Sequence, residues 1–479
     1  MEYIVQGYEP KKLFEYFEEI CAIPHGSGNE AAIAQYLVDF AKARGLECHR
    51  DAVNNVFIKA PATQGLEDRP AILLQGHTDM VCEKNNDTEH DFTKDGLKLF
   101  VEDGWLGAKG TTLGGDDGIA VAMAMALAAD KSIAHPPLEL VITVDEETGM
   151  FGAAGIDLSR LKGRTMLNLD SEEEGIFTVS CAGGARGTIH LPLQRRIVYG
   201  PCVKLTVEGL QGGHSGVEIH KNLANANKVM GQLLARVQEV MPFCITKLEG
   251  GAKDNAIPHT ASVSSVMLGM NAERINDVCQ QLEEEIRGHF DEPSARIYGD
   301  NLDALGGNAL TSECTAKVIA LLNAAPNGVQ AWSQDIEGLV QTSLNLGVVR
   351  MEQELTLTFA VRSSVNQEKR ELLSKLSELA AFYDGSYTEV GDYPAWEYRQ
   401  DSPLRDVMVR VYTEMFGKTP EVMAIHAGLE CGLLSEKLPG LDCVSIGPNM
   451  QDIHTSREKL NIASVERTLN FILNILKGL

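Results

Sequence analysis

The segment Ala71-Ile72-Leu73-Leu74-Gln75-Gly76-His77-Thr78-Asp79 decides the architecture of this chain. Its apolar first half reads as a buried strand, which breaks off at a glycine into a histidine and an aspartate. The carboxyl end of a strand is where open α/β sheets place their ligands. The pattern recurs outward from it. Asp116-Asp117, in a glycine turn, lead into Ile119-Ala120-Val121-Ala122-Met123-Ala124, which predicts an alanine-rich helix packed closely on a sheet. Leu138 to Val144 reads as a strand running into Asp145-Glu146-Glu147-Thr148-Gly149, and Thr165 to Leu169 as another ending at Asp170. Upstream, Val56-Phe57-Ile58 is a further strand, preceded between Pro10 and Ala43 by two helical patterns broken at Ile23-Pro24-His25-Gly26-Ser27-Gly28. Apolar strands alternating with helices, with polar chemistry at their ends, predict an α/β sheet domain.

The middle of the chain has a different character. Val203 to Val207, Ala261 to Val266 and Glu354 to Phe359 alternate apolar and polar residues, the mark of strands with one buried face. Asn222 to Val237 and Ile275 to Ile286 read as amphipathic helices between them. Helix and strand patterns then return to the α/β kind: Leu404 to Phe416, a short helix beginning near Gly428, and Asp442 to Ile446. The expected organisation is a catalytic domain in two parts, 1-186 and 395-479, interrupted by an inserted α+β lid, 187-394. A faint echo between Asn222–Val237 and Ala316–Val329 suggests a doubled lid.

Composition narrows the classes of function. At 479 residues, with 44% hydrophobic side chains, the chain can bury large cores and is expected to form more than one domain. Forty-two basic against 67 acidic residues give a formal charge of -25, which argues against binding to nucleic acid or anionic membrane. Ile119 to Ala129 is too short to span a bilayer, and Met1-Glu2-Tyr3-Ile4 does not begin a signal peptide. Ten cysteines occur singly, without a CxxC pair, so a reducing cytoplasm is the expected compartment. Cys82 lies near the proposed site but is assigned to packing.

The strand ends carry the chemistry. A lone His77-Thr78-Asp79 reads as a structural hydrogen-bond pair. Here, however, Asp116, Glu147 and Asp170 are expected around the same mouth, and burying unpaired carboxylates is costly unless cations compensate them. Imidazole with carboxylate suits Zn²⁺, Co²⁺ or Mn²⁺. Asp79, two residues from His77 on extended chain, is placed to support the other imidazole nitrogen. Glu146 and Glu147 need different tasks: one can bind metal while the other takes a proton from water. Spacing alone does not assign them.

Gly76-His77-Thr78-Asp79, Leu113-Gly114-Gly115-Asp116-Asp117-Gly118, Asp145-Glu146-Glu147-Thr148-Gly149 and Asn168-Leu169-Asp170 resemble the amino-terminal motifs of the co-catalytic zinc aminopeptidase/carboxypeptidase family. Gly212-Gly213-His214-Ser215-Gly216, Ala424 through Gly432, and Gly447-Pro448 through His454-Thr455 extend the resemblance over essentially the whole chain, toward the bacterial aminoacyl-histidine dipeptidases. The resemblance implies a catalytic domain with a mixed central sheet and two divalent metals, Zn²⁺ above all. His77 and His454 would each bind one metal, with Asp116 bridging. Glu147 would complete the first site and Asp170 the second. Glu146 would be the general base and Asp79 the residue that orients His77. His214 resembles a lid histidine that reaches the oxyanion, often from a partner subunit; otherwise it is a packed histidine beside a glycine turn.

Arg362, at the end of a one-sided strand, suits the carboxylate of a dipeptide, and a surface salt bridge is its competing reading. Asn255 and His426 are further candidates for that end of the substrate. Glu430, one helical turn after His426, would orient it or meet a substrate amine. The expected activity is hydrolysis of Xaa-His dipeptides to release histidine, with β-alanyl-histidine a candidate substrate and a homodimer the implied assembly. Domain closure over a short peptide is part of the same expectation. Tripeptide aminopeptidases and deacylases of N-acylated amino acids share the constellation. A non-catalytic binding protein that retained the fold would be expected to lack the base or a ligand, and neither is missing.

Overall fold

The apolar run at Ile72 is a strand, Ile72–His77, buried along its whole length within an eight-stranded sheet. The computed structural model describes residues 3–269 and 272–479. Residues Met1 and Glu2, part of the amino-terminal reading above, lie outside it. The chain forms two units. The first comprises Met1–Ser180, Tyr398–Ala424 and Leu429–Leu479, the second Cys181–Glu397 and Ile425–Gly428. The boundary expected at 186/187 falls inside the strand Gly183–Pro192. The preceding strand Ile176–Cys181 runs almost directly into it, with no polar linker to mark the division.

In the first unit the sheet order is Glu47–Arg50, Val56–Ala60, Leu138–Thr143, Ile72–His77, Thr165–Asn168, Asp442–Ser445, Ile176–Cys181, Glu421–Ile425. The four strands from Leu138–Thr143 to Asp442–Ser445 are mutually parallel. Val56–Ala60 and Ile176–Cys181 flank them antiparallel, so the sheet is mixed. The parallel register sets the ends of the His77, Glu146 and Asp170 strands side by side. The Gly115–Ala129 helix packs on this sheet, and its Gly118 admits Phe17 and Ile20 of the Lys11–Cys21 helix. Toward the carboxyl terminus, Phe177 stacks on Phe471 and meets Tyr412 edge-on, tying the Pro403–Phe416 and Ile462–Gly478 helices to the sheet. A smaller antiparallel sheet joins Met450–Gln451, Lys459–Asn461, Trp105–Ala108 and Leu99–Glu102.

The second unit is α+β. Its main path runs Arg296–Leu302, Cys202–Glu208, Ala261–Met267, Phe243–Gly250, Val340–Met351, Glu354–Ser363, Gly183–Pro192, Ser386–Tyr393, with Gly328–Trp332 also on Val340–Met351. Between Phe243–Gly250 and Val340–Met351 the pairing is short, Glu249↔Arg350 and Gly250↔Val349. Strict alternation buries Leu355, Leu357, Phe359 and Val361 and turns Arg362 to the other, polar face.

Two readings are corrected in detail. The helix expected from Asn222 begins at Ala226, because Asn225 caps it by accepting from the N–H groups of Asn227 and Lys228. The echo at Ala316–Val329 is a helix only to Ala324; Pro326 follows, and the chain re-enters the sheet at Gly328. No helix among the described residues is long and apolar enough to cross a membrane.

Candidate metal centre and substrate-binding residues

Gly76 explains how His77 comes to face the acids. A β-carbon at Gly76 would stand 2.5 Å from Asp117 Oδ2 and 2.8 Å from Ala120 Cβ, so only glycine lets the helix approach this strand. Asp117 Oδ2 in turn accepts the His77 main-chain N–H at 3.2 Å. Gly76→Ala is therefore expected to destabilise the protein by about 1–3 kcal/mol and to weaken metal binding. Melting curves with and without added metal read both effects.

Asp116 stands between two imidazoles. His77 Nε2 lies 3.2 Å from its Oδ1, and His454 Nε2 lies 3.0 Å from its Oδ2. Asp170 Oδ1 is 3.7 Å from His77 Nε2, and Glu147 Oε1 is 3.0 Å from His454 Nε2. Ligand atoms within 4.8 Å of one another thus form two groups sharing Asp116, namely His77/Asp116/Asp170 and Asp116/Glu147/His454. His77, Glu146 and Glu147 form a further group of this kind, so Glu147 stands within reach of both imidazoles, whereas Asp170 groups with His77. The motifs do not reveal which way each carboxylate turns.

Asp79 serves more than His77. The imidazole Nδ1 is 3.0 Å from the main-chain oxygen of Asp79 and 3.4 Å from its carboxylate. That carboxylate accepts the N–H groups of Glu146 and Glu147 and the hydroxyl of Ser27. One side chain therefore fixes the histidine and the two-glutamate loop together. Ser27, from the break between the first two helices, gave no signal in the sequence.

Electrostatics follow from this crowding. Burial disfavours a charge on Asp116, but the hydrogen bonds from His454 and His77 outweigh it and hold this carboxyl well below the usual range. Hydrogen bonds to Asp116 and Glu147 push the His454 imidazole up to about 10. Burial pushes the Glu146 carboxyl up to about 8, opposed by His77 and reinforced by Glu430 and Glu147. Burial also raises Asp170 and Asp117, with neighbouring carboxylates adding to the effect. Carboxylates this close repel one another, and with two imidazoles they form a donor set suited to divalent ions of the zinc kind.

Glu430 does not occupy the place expected of a substrate contact. It is fully buried, and its Oε2 accepts from Gln75 Nε2 and Thr143 Oγ1, both at 2.6 Å. Asn168 Nδ2 donates to Gln75 Oε1. Gln75 and Asn168 each precede a candidate ligand by two residues, so Glu430 braces the strand ends from below. Neither of these bonds reaches His426.

The second unit holds His214, Asn255, Arg362 and His426. His214 lies on Gly213–His214, paired with Ala256–Ile257, and Ser215 N–H donates to the Asn255 carbonyl at 2.9 Å. Gly216 and Val217 N–H groups donate to His214 Nδ1 at 3.1 and 3.2 Å. Because main-chain N–H groups only donate, the neutral ring keeps its proton on Nε2. Burial and Arg362 depress the basicity of this imidazole. A β-carbon on Gly216 would lie 3.0 Å from His214 Cε1, 3.2 Å from Arg362 Nε and 2.8 Å from the His426 carbonyl, so this glycine lets the three residues converge. Arg362 Nη1 donates to Tyr393 OH at 3.3 Å, while its Nε is buried without a partner among the described residues. That arrangement does not fit the surface salt bridge considered for Arg362. His426 Nε2 meets Ser343 Oγ at 2.7 Å, and burial beside Arg362 lowers the ring to about 3. Ser343, opposite Arg362 in the strand register, is a second residue that the sequence did not disclose. Asn255 is exposed, in a loop fastened by Asn345 Nδ2 to the carbonyls of Asp254 and Ala256.

The carboxyl ends of neighbouring parallel strands, bearing paired carboxylate–imidazole groups and an adjacent second glutamate, define a hydrolase of the metallopeptidase class. Residues 73–478 match Peptidase family M20/M25/M40. The chain belongs to that family. It is 38% identical over 473 residues to the cytosol non-specific dipeptidase of Escherichia coli (strain K12), covering 98% of this chain and 97% of the relative. It is also similar to the crystal structure of aminoacylhistidine dipeptidase from Vibrio alginolyticus, with a TM-score of 0.94, 37% identity and coverage of 99% and 97% of the two chains. Aminopeptidase PepT from Bacillus cereus shares the fold, at a TM-score of 0.56 and 17% identity over 98% of each chain.

Proposed function

We propose that this peptidase is a metal-dependent dipeptidase that releases histidine from Xaa-His dipeptides, β-alanyl-histidine among them. The observation that carries the reading is the double ligand set meeting at Asp116, with Glu146 beside it. His77, Asp116 and Asp170 would hold one divalent ion, and Asp116, Glu147 and His454 the other, most simply Zn²⁺, with Co²⁺ or Mn²⁺ as substitutes. Ions bound there supply Lewis-acid polarisation of the scissile carbonyl and acidify water. Glu146 takes the proton from the attacking water and delivers it to the departing amine. Asp79 keeps His77 and the Glu146 loop in register. His214 donates its Nε2–H to the oxyanion.

Arg362 holds the substrate carboxylate, its unpartnered Nε supplying a fixed donor, while His426, set by Ser343, and Asn255 line the same end. Arg362→Lys is expected to raise KM for a dipeptide about tenfold or more and to leave hydrolysis of the corresponding dipeptide amide nearly unchanged. Steady-state kinetics on both substrates check this.

The similarity to one relative named for aminoacylhistidine and to another named non-specific bears on specificity. The test is a panel of Xaa-His, Xaa-Leu, a tripeptide and an N-acetyl amino acid, assayed on metal-loaded protein. Preferential cleavage of Xaa-His supports the reading. Equal rates on both dipeptides widen the specificity, and activity confined to the tripeptide or acetylated substrate assigns the same chemistry to an aminopeptidase or deacylase.

The site is proposed to work in the cytoplasm, supported by ten cysteines that occur singly along the sequence, without a CxxC pair. A homodimer is proposed as well. Exposed Ile197, Tyr199 and Leu305 support it, the last beside Gly306, which packs on Tyr199. Sedimentation gives the assembly directly. The charge of -25 supports small peptides rather than nucleic acid as partners.

A further inference from the structure

One buried carboxylate near the site has no part in the proposed chemistry. The Glu458 side chain is 4% exposed and accepts four consecutive main-chain N–H groups. Its Oε2 takes those of Leu113 and Gly114 at 2.7 and 3.1 Å, and its Oε1 those of Gly115 and Asp116 at 2.8 and 3.3 Å. An N-cap oxygen ordinarily satisfies one such donor. Here both oxygens are engaged, so the plane of the carboxylate is fixed as well as its position. Asp116 and Asp117 are themselves non-helical, so these four N–H groups belong to the turn ahead of the regular part of the Gly115–Ala129 helix, and the turn draws its acceptor from this distant residue. The loop fits around it closely, for a β-carbon on Gly115 would lie 3.2 Å from Glu458 Oε1.

The chain on both sides of this contact leads to candidate ligands. Glu458 follows His454 by four residues and immediately precedes Lys459–Asn461. That strand pairs with Trp105–Ala108, whose chain continues into the Leu113–Asp116 loop. The carboxyl-terminal segment and the Asp116 loop are thus joined by strand pairing and by the Glu458 carboxylate, besides the His454–Asp116 contact. Only the second joint acts directly on the main chain of Asp116.

We propose that Glu458 is a positioning residue for the metal centre: its carboxylate, seated in the Leu113–Asp116 amide cradle, holds His454 and Asp116 in register and so builds the half-site that the carboxyl-terminal segment completes. The inference rests on the proposed ligand roles of those two residues. Glu458→Gln keeps the shape but turns an NH₂ group toward two N–H donors. Glu458→Asp keeps the charge on a shorter arm.

The experiment is a calorimetric Co²⁺ titration of chelator-treated wild-type protein and both variants, followed in parallel by visible absorption. Wild-type protein is expected to take up two equivalents. Glu458→Gln should bind the ion that His454 completes about ten- to a hundredfold more weakly and the other, which shares Asp116, with a clearly smaller loss, the larger spectral change belonging to the first. Excess metal should restore kcat, and Glu458→Asp should fall between. Wild-type affinity for both ions in Glu458→Gln would overturn the inference, and so would equal weakening of both, which marks a general loss of structure. Should Glu458→Gln fail to fold, an unaltered titration of Glu458→Asp would overturn it too. Wild-type protein that takes up no metal would instead overturn the functional reading.

Discussion

Glu146→Gln is expected to lower kcat on an Xaa-His dipeptide by about 10²- to 10⁴-fold while leaving KM and the metal content close to wild type. The amide occupies the same space, and the Glu146 main-chain N–H still donates to Asp79, so the loop and Glu147 keep their places. What disappears is the group that takes up and returns a proton. The pH profile carries the same signature. A carboxylate base works when unprotonated, so activity rises with pH through its pKa. Burial and neighbouring acids raise Glu146 from 4.5 to about 8, and bound cations draw it back down. The acid limb of kcat/KM should therefore fall between those two values in wild type and be lost in the variant. Metal analysis on the same samples separates loss of the base from loss of the centre.

Removing metal with a chelator is expected to abolish hydrolysis, and restoring it at pH 7 to release protons. In the chelated protein Asp116 and Glu147 hold the proton on His454 up to about pH 10, and Asp116 and Asp79 raise His77 despite its burial. A ligand imidazole must be neutral, so metal affinity should climb with pH by about tenfold per unit for each proton displaced. The stability of the chelated protein should move the other way. The folded-state pKa of His454 is raised from 6.5, so its contribution is fully present below pH 6.5 and is lost as pH rises through about 10. Calorimetry in buffers of differing ionisation enthalpy counts the protons, and melting curves over the same range read the stability.

The parts of this site that were legible in the sequence are those carried by local pattern. An apolar strand ending in Gly76-His77 needs no long-range information, and neither do Glu146-Glu147 or Asp170 at the ends of neighbouring runs. His454 is different. Nothing in its own surroundings marks it as a ligand, and only resemblance singled it out. Which imidazoles Asp170 and Glu147 stand near depends on side-chain direction, which strand spacing does not encode. Glu430 misled for a related reason. Its distance from His426 suggested a shared helix face, but His426 precedes the Glu430–Lys437 helix and belongs to the other unit. Ser27, Ser343 and Glu458 each act on one place far away in sequence, Ser27 and Ser343 through one hydrogen bond and Glu458 through four, and a serine or glutamate in a loop carries no periodic signal. Fold class was readable because it rests on many weak, repeated choices. Supporting contacts rest on one choice each.

The most direct measurement of the central claim is the initial rate of Xaa-His hydrolysis as Zn²⁺ is returned stepwise to chelated protein, alongside a count of bound metal. A rate that rises with bound metal and levels off at two ions per chain, and that remains near zero throughout in Glu146→Gln, is the predicted result. Hydrolysis that is undiminished in fully chelated protein, or a chain that binds two ions and cleaves no dipeptide, would contradict it.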